Sequence, residues 1–181
     1  MSEETIAKEN GAPKLRIVVD AQIVLVMFLA RRDRLEWKSP KRQLLKLLTI
    51  SSFHWLWSPD IIADYERGAA AIESDERITR RTVFDRVGFE LFLGALRLTP
   101  AVPVSATTMR KARRRLEQAT RSSERDLDDA VYLACAVDGD AHLITTEDSD
   151  LRLLGDEYEG IRILSWNECR EYLRQHGLPV S

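Results

Sequence analysis

The stretch Leu15-Arg16-Ile17-Val18-Val19-Asp20-Ala21-Gln22-Ile23-Val24-Leu25 decides how the rest of the chain is read. Its first five residues make a short apolar run with three β-branched side chains in succession, which predicts a buried strand. Asp20 stands at the carboxyl end of that strand. The apolar run that follows from Ala21 turns charged at Arg31, Arg32, Asp33 and Arg34, as suits a mostly buried helix leaving a sheet through about residue 34.

The same alternation recurs outward along the chain. A second helical pattern starts at Pro40 and runs through Leu44, Leu45, Leu47 and Leu48, and Phe53-His54-Trp55-Leu56-Trp57 reads as an aromatic strand. Trp55 and Trp57 alternate along it and are expected in the core rather than as base-stacking platforms, which need exposure. Ser58-Pro59 supplies an N-cap and a proline at the first helical position, opening a helix that carries Ile61, Ile62, Asp64, Tyr65 and Glu66. Ser74 to Leu96 reads as one further helical stretch, and the two prolines of Thr99-Pro100-Ala101-Val102-Pro103-Val104 restrict it to an edge strand or an extended segment. Ser105 caps a long basic helix from Thr107 to about Thr120, and Asp126 opens a helix over Leu127 to Val137 that Gly139 ends. Ala141 to Thr145 is the next strand. A short helix around Leu151 to Leu154, a strand at Ile161 to Leu164 and a helix at Trp166 to Gln175 complete the pattern. Strands alternating with helices predict an α/β fold: a central, mostly parallel sheet covered on both faces. Residues 1–13 read as a loose tail and residues 14–181 as a single domain.

Composition narrows the function. At 181 residues, 44% hydrophobic and 31% charged, the chain falls in the globular range. Lys+Arg 27 against Asp+Glu 29 leaves a net charge of −2, so any nucleic-acid binding must come from a local patch. Cys135 and Cys169 fit no CxxC spacing, which favours a reducing, cytoplasmic setting. Ile17 to Ala30, the most apolar stretch, is interrupted by Asp20 and Gln22 and is too short for a membrane span. No GxSxG, GxxxxGK or HExxH occurs, which excludes the serine-hydrolase, P-loop and zincin signatures. A phosphatase of the haloacid-dehalogenase kind needs a second acid two residues after the first, where this chain has Gln22.

In parallel sheets ligands gather outside the carboxyl ends of the strands. The acids expected there are Asp20, Asp64, the group Asp126, Asp128 and Asp129, and the group Glu147, Asp148 and Asp150. Each has an ordinary reading alone. Asp20 and Asp126 suit helix N-caps, Asp64 and Glu66 a helix surface, and the last group a turn. Together they repel unless a hard divalent cation neutralises them, and Mg²⁺ and Mn²⁺ take such oxygen ligands.

Four segments in order, Ile17 to Leu25, Ser58 to Glu66, Asp126 to Ala136 and Ala141 to Leu151, resemble the PIN-domain ribonucleases, a family that includes the VapC-type toxins of bacterial toxin–antitoxin pairs. The resemblance covers about Leu15 to Tyr172 and implies a three-layer α/β/α sandwich. It also implies catalytic roles for Asp20, Asp64, Asp129 and Asp148, of which Asp20, Asp129 and Asp148 would bind one or two Mg²⁺ or Mn²⁺ ions. Glu66 is the alternative to Asp64, Asp128 to Asp129, and Glu147 or Asp150 to Asp148. The family usually has Thr-Asn after its first aspartate, where this chain has Ala21-Gln22, and a glutamate where it has Asp64.

Arg110, Lys111, Arg113, Arg114 and Arg115 crowd one helix, followed by Arg121 and Arg125, and the cluster runs into Asp126 to Asp129. Cations that hold phosphates beside carboxylates that hold metal suit an RNA substrate, although a solvated helix face is the plain alternative. The expected function is a metal-dependent endoribonuclease, the toxin of a toxin–antitoxin pair. The alternative is a PIN fold without turnover that binds RNA or a protein. An antitoxin partner and a homodimer follow from the resemblance only.

Overall fold

The computed structural model describes residues 14–32, 44–46, 53–120 and 129–178. The expected tail 1–13, most of the helix expected from Pro40, and Arg121, Arg125, Asp126, Leu127 and Asp128 lie outside the described residues.

Strand β1 (Leu15–Val19) is central, paired in parallel with β3 (Phe53–Leu56) on one side and β5 (Leu143–Thr145) on the other. Beyond β5 lies β7 (Ile161–Leu164), again parallel, and an antiparallel edge strand β6 (Glu157–Tyr158) completes the order β3-β1-β5-β7-β6. Ile17, Val18 and Val19 have no exposed surface, so both faces of β1 are covered, as its uninterrupted apolar run requires. Around the sheet lie α1 (Ala21–Met27), α2 (Pro59–Ser74), α3 (Glu76–Thr79), α4 (Arg86–Arg97), α5 (Ala106–Thr120), α6 (Ala130–Asp138), α7 (Ser149–Arg152) and α8 (Trp166–Gln175). The layering is the expected α/β/α sandwich.

Local chemistry fixes the element ends that matter. Ser58 Oγ accepts from the Ile61 N–H at the start of α2, and Ser165 forms a complete capping box with Glu168 at the start of α8. Gly139 ends α6 where space is short: a Cβ there would lie 2.8 Å from the Cys135 carbonyl oxygen. Trp55 and Trp57 are buried, at 4% and 9% exposure, and Trp55 meets Phe92 edge-on at 5.1 Å, so both belong to the core.

Two expectations are corrected. The helix after Asp20 stops at Met27, and the chain turns into a short strand β2 (Leu29–Arg31). Ser74 to Leu96 is not one helix: it breaks into α3, a strand β4 (Thr82–Phe84) and α4. Here β2 and β4 pair antiparallel as a separate two-stranded sheet, with Leu29 opposite Phe84 and Arg31 opposite Thr82. The breaks have a local cause, because Asp75 and Asp85 cap the two helices by accepting from the Arg77 and Gly88 N–H groups. Thr99 to Val104 is extended without strand pairing, tied to the sheet side by the Val102 N–H donating to the Trp57 carbonyl at 2.8 Å. The two-residue strand β6 carries no signal in the sequence that would announce it. No described helix is long and apolar enough to cross a membrane.

Candidate active site

The ladder of the sheet continues one residue past its strands. The Asp20 N–H donates to the Thr145 carbonyl at 3.0 Å, and the Thr146 N–H donates to the Leu164 carbonyl at 2.9 Å. Asp20 and Thr146 are therefore set side by side at the carboxyl edge by backbone bonds. Their side chains meet there: Thr146 Oγ1 donates to Asp20 Oδ2 at 2.6 Å and accepts from the Asp148 N–H at 2.8 Å.

Asp20 is 3% exposed, and its other oxygen accepts from the Gln22 N–H at 3.2 Å as the N-cap of α1. Burial is the main cause that pushes its carboxyl up to about 6, the bonds from Thr146 and Gln22 oppose that, and the charges of Asp148 and Asp64 add to it. Asp129 sits at the start of α6, half-buried, and makes no capping bond with its side chain. Capping of α6 therefore does not account for it. Burial first, then the charges of Asp148, Asp20, Asp64 and Asp150, push its carboxyl up to about 8. Each of these acids is thus within electrostatic reach of the others.

Asp148 has local work to do. Its Oδ1 accepts from the Asp150 and Leu151 N–H groups at 2.6 and 3.2 Å, capping α7, and its Oδ2 accepts from Gln22 Nε2 at 3.1 Å. Asp64 enters from α2. Its Oδ1 accepts from Arg67 at 3.0 Å, and its Oδ2 takes a short hydrogen bond from the Tyr132 hydroxyl. That hydroxyl also accepts from the Ala21 N–H at 3.1 Å, so a buried tyrosine on α6 ties Asp64 to the turn that carries Asp20.

Among the alternatives, Glu66 turns away to Arg97 at 2.6 Å, and Glu147 Oε1 takes the Trp166 N–H at 3.4 Å. Asp150 contributes charge to Asp129. Asp128 lies outside the described residues. Sequence reasoning missed three supporting groups: Thr146, Tyr132 and Gln22. The signal for Tyr132 was present, since a phenol inside the apolar run of Ala130 to Ala136 must find a polar partner. Gln22 gains its partner, and Thr146 its bond to Asp20, only through long-range contacts.

Does this site suit a divalent cation? The donors are carboxylate oxygens, as Mg²⁺ and Mn²⁺ prefer. Two of the carboxyls are shifted toward protonation by crowding and burial, the strain that a cation relieves. Among the described residues no three His, Cys, Asp or Glu side chains stand close enough to ligate one ion together. Mg²⁺ commonly keeps several waters and takes only one or two carboxylates directly, so the spacing and the donor chemistry are compatible with it.

The five expected cations of α5 are all exposed. They do not share one face. Ala112 and Leu116 are buried, and at 3.6 residues per turn Arg113 falls about 160° around the helix from Lys111 and from Arg115. Lys111, Arg114 and Arg115, with Gln118, line an open groove of about 500 Å³ whose other wall is Glu157, Tyr158 and Glu159. The helix also packs against α7, which Asp148 begins.

A family model described as PIN domain matches residues 16–150. Among solved structures the chain resembles VapBC2 from Rickettsia felis, crystallised with a DNA fragment from their promoter, with a TM-score of 0.53 and 13% sequence identity over 84% of this chain and 99% of that one. No curated protein matches the chain's sequence significantly.

Proposed function

Since the chain belongs to the PIN-domain family, whose members are generally nucleases, we propose that it is an endoribonuclease that uses Mg²⁺ or Mn²⁺ to hydrolyse RNA phosphodiester bonds. The observation that carries this reading is the gathering of acids at the carboxyl edge of the sheet. Thr146 joins Asp20 to the Asp148 turn, and Tyr132 ties Asp64 to the turn after Asp20. Asp129 at a helix start feels the charges of all three, its carboxyl and that of Asp20 being pushed up chiefly by burial. Such an arrangement is costly unless a cation completes it.

Asp20, Asp129 and Asp148 are the proposed ligands of one or two ions, one or two of them directly and the rest through bound water. When bound, the ion supplies charge neutralisation at the phosphate and lowers the pKa of water enough for hydrolysis at neutral pH. The residues' own tasks are distinct. Thr146 holds Asp20 and the Asp148 turn at a fixed separation. Tyr132 orients one oxygen of Asp64, leaving Asp64 to position water or serve as a further ligand. Gln22 holds one oxygen of Asp148, in the place where the family usually has asparagine. Lys111, Arg114 and Arg115 hold the RNA backbone beside α7, and Arg110 and Arg113 add longer-range attraction. The R. felis likeness supports an antitoxin as partner, with this chain as the toxin; a homodimer, a single domain over 14–181 and action in the cytoplasm are proposed alongside it.

One observation favours a second reading. The absence of three closely spaced ligands among the described residues fits a PIN fold that binds RNA or a protein without turnover. Cleavage of labelled single-stranded and hairpin RNA with Mn²⁺, with Mg²⁺ and with excess EDTA separates the two. Metal-dependent cutting that the chelator stops is expected. Binding without cutting under every condition would establish the second reading instead.

A further inference from the structure

Away from the carboxylates, the β2–β4 sheet gathers Arg31, Arg32, Arg80 and Arg81 with Thr82 around a cavity of about 620 Å³. All four arginines are exposed, and their backbone is held firmly: the Arg32 N–H donates to the Arg81 carbonyl at 3.0 Å, the Arg81 N–H to the Ile78 carbonyl at 3.0 Å, and the Arg32 guanidinium to the Thr79 carbonyl at 2.7 Å. Arg80 pairs with Glu76 at 2.8 Å, but both side chains are more than three-quarters exposed, so an anion can displace that pair at little cost. Among the described residues no acid pairs with Arg32 or Arg81. We infer that this arginine cavity is a second phosphate-binding site, which grips the backbone of an RNA strand at a distance from the carboxylate site. The inference rests on the RNA reading above.

Three arguments carry it. Guanidinium groups bind phosphate through paired N–H donors, and a concave surface lined by one sign of charge concentrates its field. A chain with net charge −2 that gathers four arginines into one cavity has no general excess of cations to explain the cluster. Position is the third. Helices α1 and α2 pack against each other, α1 begins beside Asp20, and Asp64 lies near the start of α2. Their far ends lead into β2 and, through α3, into β4. From Asp64 to Ser74 the chain advances about 15 Å at 1.5 Å per residue. The cavity is therefore too distant to touch the reacting phosphate and can act only on a strand long enough to reach both places.

Length dependence is the test. Binding of a trinucleotide, too short to reach both places, and of a 20-nucleotide single-stranded RNA to the full chain is followed by fluorescence anisotropy across a salt titration, for the wild type, Arg80→Gln/Arg81→Gln and the single Arg81→Gln. The double variant should lose roughly tenfold in affinity for the long RNA, with a salt slope shallower by about 0.7 for each phosphate no longer held, while the short RNA binds and is cut as before. The single variant should show part of the loss, and serves alone if the double variant folds poorly. Wild-type-like binding of the long RNA by both variants overturns the inference. So does a result in which inorganic phosphate binds the wild type and not the variants by calorimetry while RNA binding is unchanged, because the cavity then takes free phosphate. A wild type that binds neither RNA overturns the functional reading itself, an outcome distinct from either.

Discussion

The carboxylate site and the basic helix both crowd like charges, one with water largely excluded and the other in full contact with it. Asp20 is 3% exposed and Asp129 half-buried, and both carboxyls are pushed toward protonation. The cations of α5 stand in solvent on several sides of the helix. Coulomb repulsion falls with the effective dielectric, so only the first group carries a large electrostatic cost in the absence of a ligand. Charge crowding is thus evidence for a ligand where it is buried and weak evidence where it is exposed.

The largest expected effect comes from Asp20→Asn, which keeps the shape and removes the buried charge. Turnover should fall roughly 10²-fold or more, since several kcal/mol of transition-state stabilisation depend on the ligand set. In chelator at pH 8 the same variant should melt higher than the wild type, because the carboxylate it lacks is a net cost to the metal-free fold. An Asp20→Asn protein that is less stable than the wild type under those conditions would show that the charge is already satisfied and erase the contrast with α5.

Next in size is the pH dependence of stability without metal. A carboxyl whose folded pKa is raised stabilises the fold fully below its unfolded value of 3.8, and that stabilisation is lost as pH rises through the folded value. Asp20 sets a window from about 4 to about 6, and Asp129 one from about 4 to about 8. Calorimetry in chelator should therefore find a melting temperature that falls between pH 5 and pH 8. For a chain of this length each kcal/mol corresponds to about 2–4 °C. Added Mn²⁺ should reverse the fall at pH 8, a native-state ligand at 100 times its Kd being worth about 2.7 kcal/mol. A flat profile, or no response to Mn²⁺, would remove the carboxylate side of the comparison.

The smallest effect sharpens the other side. Lys111→Ala/Arg114→Ala should weaken RNA binding modestly and reduce its salt slope by about 0.7 for each phosphate the helix no longer neutralises, whereas Arg113→Ala, on the opposite flank of α5, should weaken binding less and leave the slope nearly unchanged. Equal effects from the two would mean that the helix acts as a diffuse charge and that the groove beside Tyr158 has no special part in binding.

Much of the fold is legible in the sequence. The run Leu15 to Asp20, the Ser58-Pro59 helix start and the Trp166 to Gln175 helix carry local signals strong enough to be read alone. The β2–β4 sheet is not legible, because three-residue strands such as Thr82-Val83-Phe84 owe their conformation to a partner about fifty residues away, and Ile78, Val83, Phe84 and Val87 also fit helical spacing. Asp75 and Asp85 are the readable clue, as caps inside a stretch whose periodicity suits one helix. At the site, Asp20 and Asp148 follow from strand ends. The bonds from Thr146 to Asp20 and from Gln22 to Asp148 join segments 126 residues apart in sequence and have no local signature, whereas Tyr132 is announced by its place in an apolar run.

The two backbone bonds that carry the sheet ladder past its strands, from Asp20 to Thr145 and from Thr146 to Leu164, bear on how the molecule fails. An acid placed by a loop can drift while the rest of a protein stays intact, and activity then fades well before the fold is lost. Here Asp20 and Thr146 are buried and their amides are bonded into the sheet ladder, so they exchange their hydrogens with solvent when β1, β5 and β7 separate. Heat inactivation and global unfolding should then be one event, with no intact but silent form between them.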